Sequence, residues 1–211
     1  MGFSDFVDPY LDAETGVLRN KVGARTRKEL EEAEGTLSFA RLIQLLDHPC
    51  EPTGDLSELQ AIHYQLFQDV YSWAGHVRTV DLVKNVDGAE PFMPVSLIQQ
   101  ASVYAASELH ADHDLQKMDR HTFIGRLAYH YDQFNYLHPF REGNGRTQRV
   151  FWNRIAHDAG WRLDWREIQG AVNDQACRAA SEQRDFEPLM TMFLSLVSRS
   201  ESFESQPVEL G

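Results

Sequence analysis

Two cysteines in 211 residues, Cys50 and Cys177, stand far apart and without CxxC spacing. They read as free thiols in a reducing cytoplasm and leave no disulfide framework to infer. Long apolar runs are also missing: none approaches the ~20 residues of a membrane span, and no signal peptide opens the chain. Met1-Gly2 begins a myristoylation pattern that fails at its sixth position, where Phe6 stands in place of Ser or Thr. A soluble cytoplasmic protein with no membrane partner is expected. Positive charge is scarce, 20 Lys and Arg against 32 Asp and Glu for a net charge of −12, which argues against direct nucleic-acid binding. No internal repeat is found. Apolar content of 42% at this length suits one domain with a proper core and an N-terminal extension.

What is present is mainly helical periodicity. The first twenty residues, with Asp8-Pro9 and Gly16, read as an extended arm, and residues 26–46 read as a helix. His48-Pro49 to Gly54 breaks it, and Asp55 with Glu58 then caps an apolar helix running through Trp73 to Gly75. Residues 77–84 alternate apolar and polar, and Asn85-Val86-Asp87-Gly88 supplies a turn before Phe92, so residues 79–93 form one short hairpin. Ser96 with Gln99 forms a second capping box. A strongly apolar helix over 121–137 leads into His138, and another spans about 146–159 before Gly160. Asp164 and Asp185 read as caps of two further helices, and the acidic end of the chain as a frayed tail. The division is 1–54 arm and helix, 55–197 core domain and 198–211 flexible acidic tail. The fold class is mainly α, a helical bundle with one β-hairpin.

Residues 138–149, HPFREGNGRTQR, concentrate the chemistry. Pro139 excludes His138 from the right-handed helical region, so the preceding helix ends there with the imidazole at its rim. Gly143 and Gly145 permit a tight turn whose amides converge as an anion nest at a helix N-terminus. Arg146 and Arg149 lie three apart on one helix face, able to grip the same anion. Glu142 offers a hard oxygen ligand where Mg²⁺ bridging phosphates would sit.

This stretch resembles the signature of the Fic family, H-x-F-x-[DE]-G-N-G-R-x-x-R, at every specified position: His138, Phe140, Glu142, Gly143, Asn144, Gly145, Arg146 and Arg149. The run from His63 to Thr79 is similar to the segment preceding the Fic active-site flap, and the likeness spans roughly residues 55–197. It implies the Fic fold and transfer of AMP from ATP to a hydroxyl of a target protein. His138 is then the general base, since an imidazole with a reference pKa of about 6.5 can take a hydroxyl proton at pH 7. Glu142 holds Mg²⁺ against the α- and β-phosphates. The Gly143-Asn144-Gly145 backbone with the Asn144 side chain cradles the α-phosphate, Arg146 grips the β-phosphate and Arg149 the γ-phosphate. Phe140 is a buried anchor under the loop. The flap residues Thr79, Val80, Asp81, Leu82, Val83 and Lys84 dock an extended target segment by β-augmentation. Gly145 favours AMP donation, since the related Doc kinase has Lys there and transfers phosphate. UTP and CDP-choline, donors in other relatives, stay open.

Many relatives carry or bind an inhibitory helix, [ST]-x-x-x-E-[GN], whose Glu pairs with the second motif arginine, here Arg149. Glu34-Gly35 ends correctly but Leu30 fills the Ser/Thr position, and Ser200 with Glu204 is followed by Ser205. Neither matches. The resemblance therefore implies a toxin restrained by a separate small antitoxin supplying that helix. DNA gyrase and topoisomerase IV ATPase subunits are the expected targets. The alternatives are a catalytically silent or a host-directed Fic module acting by protein binding.

Overall fold

The computed structural model describes residues 8–83 and 91–200. Helices α1 (Arg27–Asp47) and α2 (Leu56–Phe67) are followed by α3 (Val95–Ala111), α4 (Arg120–Leu137), α5 (Asn144–Asp158), α6 (Gly170–Gln183) and α7 (Glu187–Leu196). Two three-residue strands, β1 (Trp161–Leu163) and β2 (Val197–Arg199), pair antiparallel with Trp161 opposite Arg199 and Leu163 opposite Val197.

The core forms around α4, whose Phe123, Ile124, Leu127, Ala128, Tyr131, Phe134 and Leu137 recur every three or four residues and are all buried. Asp119 caps it, accepting from the His121 and Thr122 amides. The helix packs against α3, α5, α6 and α7, and α5 bridges to α2, which in turn carries α1. Phe151, Trp152 and Ile155 of α5 are fully buried against this centre. A second tie fixes α5 on α2: Arg154 donates from Nε and Nη2 to the buried Glu58 carboxylate. Breaking one side of such a pair leaves a desolvated charge and costs about 3–5 kcal/mol. The loop before α5 therefore has a rigid helix behind it on either side.

The helical bundle matches the expected fold class, and several boundaries differ for physical reasons. The helix expected to reach Trp73 ends at Phe67, because the arm captures the next carbonyls: the Lys21 amide donates to Val70 O and Lys21 Nζ to Gln68 O. Ser96 and Gln99 form no capping box; α3 starts after Pro94 with no side-chain cap. Asp164 caps only a 3-10 turn at Trp165–Glu167, and α6 follows uncapped. Among the described residues, 79–93 contribute one bridge, Val83 with Pro91, and the regular strands lie at β1 and β2 instead. Ser198 and Arg199, placed in the tail from sequence, complete β2, and Arg199 covers the Trp161 ring at 4.2 Å. The turn at 85–88, Lys84 and Glu204 lie outside the described residues.

Candidate active site

His138 ends α4 in the left-handed region, φ 41° and ψ 58°, outside the right-handed region that the following Pro139 disfavours. Its carbonyl accepts from Arg78 Nε at 2.8 Å, and the next carbonyl, of Pro139, accepts from the Arg78 amide at 2.8 Å. Phe92 stacks on the imidazole with centroids 3.7 Å apart and planes 13° from parallel. The His138 position is thus set by three segments at once.

The loop that follows is closed on itself. Asn144 Oδ1 accepts from the Phe140 amide at 2.9 Å and its Nδ2 donates to the Phe140 carbonyl at 2.7 Å. Both ends of this buried amide bond to the Phe140 backbone, so its side chain fixes the shape of the loop. The backbone remains available: α5 has no side-chain N-cap, which leaves first-turn amides for an anion. Gly143 adopts φ +81°, and a Cβ there would meet Phe67 at 2.5 Å. Gly145 has open space where its Cβ would be. Phe140 is buried and stacks on His63 at 3.9 Å, and Thr147 Oγ1 donates to Gly143 O at 3.0 Å.

His63 was not predicted as a site residue. Its Nδ1 accepts from the Gly75 amide at 2.8 Å, so Nε2 bears the proton and donates to the Glu142 carbonyl at 3.0 Å. Burial pushes its pKa down to about 4, which keeps it neutral. This neutral ring therefore holds Glu142 from behind, while the Glu142 carboxylate stays half-exposed and accepts from the Gly143 amide at 2.9 Å.

Arg146 and Arg149 differ in company. Arg146 pairs with Glu34 of α1, approaches Ser38 Oγ at 3.5 Å, and lies over the Phe67 ring at 4.7 Å. Glu34 is buried and also accepts from the Tyr71 hydroxyl. The available sequence signal for Glu34 was its place on the face of α1 that carries Leu30, Leu37 and Ser38. Glu34, Tyr71, Glu142 and Arg146 line a cavity of about 880 Å³ that the arm borders at Thr15 and Val17. Arg149 makes no ion pair among the described residues and rests 5.5 Å over Trp165. With Arg146 it lines a second groove of about 380 Å³, between Phe39 and Leu42 of α1 and Val150.

Of the expected docking residues, four are used internally. Thr79 N donates to Tyr10 Oη at 3.0 Å, the Val80 carbonyl accepts from Arg78, and Asp81 Oδ1 accepts from the Val95 amide at 2.8 Å. Leu82 O accepts from the Phe92 amide, and Val83, though exposed, forms the bridge with Pro91.

Chemically, the site joins an imidazole at a helix end, an uncapped helix N-terminus, and two guanidinium groups. Among the described residues no three His, Cys, Asp or Glu cluster as a metal cage. The single carboxylate of Glu142 fits a Mg²⁺ that takes its other ligands from phosphate and water.

A model of the Fic/DOC family matches residues 53–156. The protein adenylyltransferase VbhT of Bartonella schoenbuchensis is 36% identical over 162 residues, which is 77% of this chain and 33% of that protein. A probable protein adenylyltransferase Fic of Escherichia coli is 31% identical over 198 residues, 94% of this chain and 96% of the relative. This chain thus spans a third of one and nearly all of the other. A solved N-terminal Fic domain of a putative cell filamentation protein from Bartonella quintana, with bound ADP, superposes with TM-score 0.83 at 25% identity. That match covers 91% of this chain and 95% of that one. The type IV secretion system effector protein BepA superposes equally, TM-score 0.83 at 27% identity, over 92% of this chain and 71% of that one.

Proposed function

Because this chain belongs to the Fic/DOC family, we propose that it is a protein adenylyltransferase, moving AMP from ATP to a hydroxyl side chain of another protein. The observation that carries this is the junction of α4 and α5: His138 fixed at one helix end, and the uncapped amides of the next helix beside it. In the reaction the target hydroxyl oxygen attacks the α-phosphorus and the α–β bridging P–O bond breaks. The hydroxyl proton passes to His138, and pyrophosphate leaves. The α5 amides receive the α-phosphate oxygens, and Arg146 and Arg149 the β- and γ-phosphates. Glu142 would hold Mg²⁺, which neutralises charge on the departing pyrophosphate. The open position at Gly145 suits close backbone approach of a phosphate.

Restraint is proposed to come in trans, from a small antitoxin whose helix carries S/T-x-x-x-E-G/N. Arg149, without an acidic partner among the described residues and bordering an open apolar groove, supports this reading. The proposed target is a gyrase or topoisomerase IV ATPase subunit, the one the Fic resemblance implies, engaged through the flap at Val83. A host-directed module is the second reading, favoured by the likeness to BepA. Incubating the purified chain with α-labelled ATP, Mg²⁺ and bacterial or host lysate separates them, with mass spectrometry of the labelled band. The expected result is one dominant bacterial band, lost by about 10²–10⁴-fold in His138→Ala with ATP binding retained. Transfer that survives His138→Ala, or loss of ATP binding instead, would overturn the assignment.

A further inference from the structure

Arg78 is the most deeply buried charge in the described protein, with a side chain that is 0% exposed. Buried charges are normally matched by a carboxylate, yet the nearest, Asp81, lies 3.8 Å away and is 73% exposed. The guanidinium is spent instead on three main-chain carbonyls from three segments: His138 through Nε at 2.8 Å, Val80 through Nη1 at 2.7 Å, and Met93 through Nη2. Its own amide takes the Pro139 carbonyl. Val80 and Met93 stand on the two stems of the flap, either side of the Val83–Pro91 bridge. Met93 is tied further to the end of α4 through its amide and Tyr136 O at 3.0 Å. Phe92, stacked on His138, immediately precedes Met93.

We propose that Arg78 is a positioning residue for the transfer reaction, one buried guanidinium that sets the left-handed His138 backbone and both flap stems in a single frame. The inference rests on the adenylyltransferase reading above, in which His138 is the base and the flap carries the acceptor. Its physical logic is geometric. A planar guanidinium with donors in fixed directions holds three carbonyls at fixed angles, which an ammonium on a flexible stem cannot do. His138 sits at φ 41°, a conformation that persists only while its surroundings over-determine it. Removing the guanidinium frees that strained residue, and the Phe92–His138 stack is the first contact to loosen. Displacement of a reacting group by about 1 Å can cost on the order of 10²-fold in rate.

The test compares wild type with Arg78→Met and Arg78→Lys by two readouts. The first needs no activity: the His138 ring proton shift in NMR, assigned by its loss in His138→Ala, is displaced in wild type by the Phe92 ring. It should move toward the solvent value in Arg78→Met and less in Arg78→Lys, while the buried His63 signal stays in place. The second is labelling of the acceptor band in lysate as ATP is varied, which should show an apparent kcat down about 10²-fold. The KM for ATP should stay within twofold, and Arg78→Lys should recover part of kcat. If Arg78→Met does not fold, Arg78→Lys carries both readouts alone. An unshifted His138 signal in a folded variant overturns the proposal. So does a parallel loss of ATP affinity, which would mark general destabilisation. Absence of labelling in wild type would instead refute the adenylyltransferase reading, leaving the NMR result to decide the role of Arg78.

Discussion

Gly143 and Gly145 differ by two positions and should respond oppositely to the same methyl group. At Gly143 the backbone has φ +81°, which costs a residue bearing a Cβ about 1–2 kcal/mol. The added carbon would also lie 2.5 Å from both Cε2 and Cζ of Phe67, a fully buried ring between His63 and Tyr71 that has nowhere to go. Overpacking of that kind costs about 1–3 kcal/mol. Gly143→Ala should therefore lose about 2–5 kcal/mol of stability, a large share of what a domain of this size has. Gly145 lies in the first turn of α5, and nothing stands within 4 Å of its ideal Cβ. Gly145→Ala should be neutral or gain up to about 1 kcal/mol from helix propensity. Its cost should fall on the ligand, since the methyl occupies the space left for a phosphate; about tenfold in ATP affinity, or ~1.4 kcal/mol, is expected. Urea unfolding at constant slope measures the first quantity, and titration with a fluorescent ATP analogue the second. Phe67→Leu in the Gly143→Ala background should recover the packing share and leave the φ share. The reasoning fails if Gly143→Ala is as stable as wild type, or if Gly145→Ala binds ATP normally.

Three further outcomes are expected. Glu142→Ala should slow transfer and flatten its dependence on Mg²⁺ concentration; an unchanged Mg²⁺ requirement would place the metal elsewhere. Asp132 has a buried Oδ1 without a partner among the described residues, and its nearest cation, Arg184, is 4.0 Å away. Burial pushes its pKa from 3.8 to about 6. The folded state thus holds the proton more tightly than the unfolded chain, and stability is lost as pH rises from about 4 through 6, on the order of 3 kcal/mol. Asp132→Asn should be more stable than wild type at pH 7.5 and no more stable at pH 4; a gap independent of pH would refute this. Finally, a helical peptide carrying S/T-x-x-x-E-G should suppress transfer, and replacing its Glu with Gln should restore it, because carboxylate and γ-phosphate compete for Arg149. Equal inhibition by the Gln peptide would exclude that competition.

The sequence by itself determined the parts that are encoded locally. The period of apolar residues placed α4 to within a residue, and Pro139 after it put His138 at the helix rim. The Gly143–Gly145 composition marked the turn where α5 begins. These follow from dihedral preferences and helical spacing, which act over a few residues. Tertiary structure decided how the local pieces are used. Asn144 was read only for its part in the phosphate turn, and the structure ties its side chain to both backbone groups of Phe140, four residues back. The strand pair formed between β1 and β2, thirty-odd residues apart and unmarked by alternation long enough to read. Glu34, His63 and Arg78 are separated in sequence by 112, 79 and 60 residues from the Arg146, Glu142 and His138 groups they hold. Periodicity can show that a polar residue falls on a buried face. Which group satisfies it depends on where distant segments of the chain are brought together, and only the packed core fixes that.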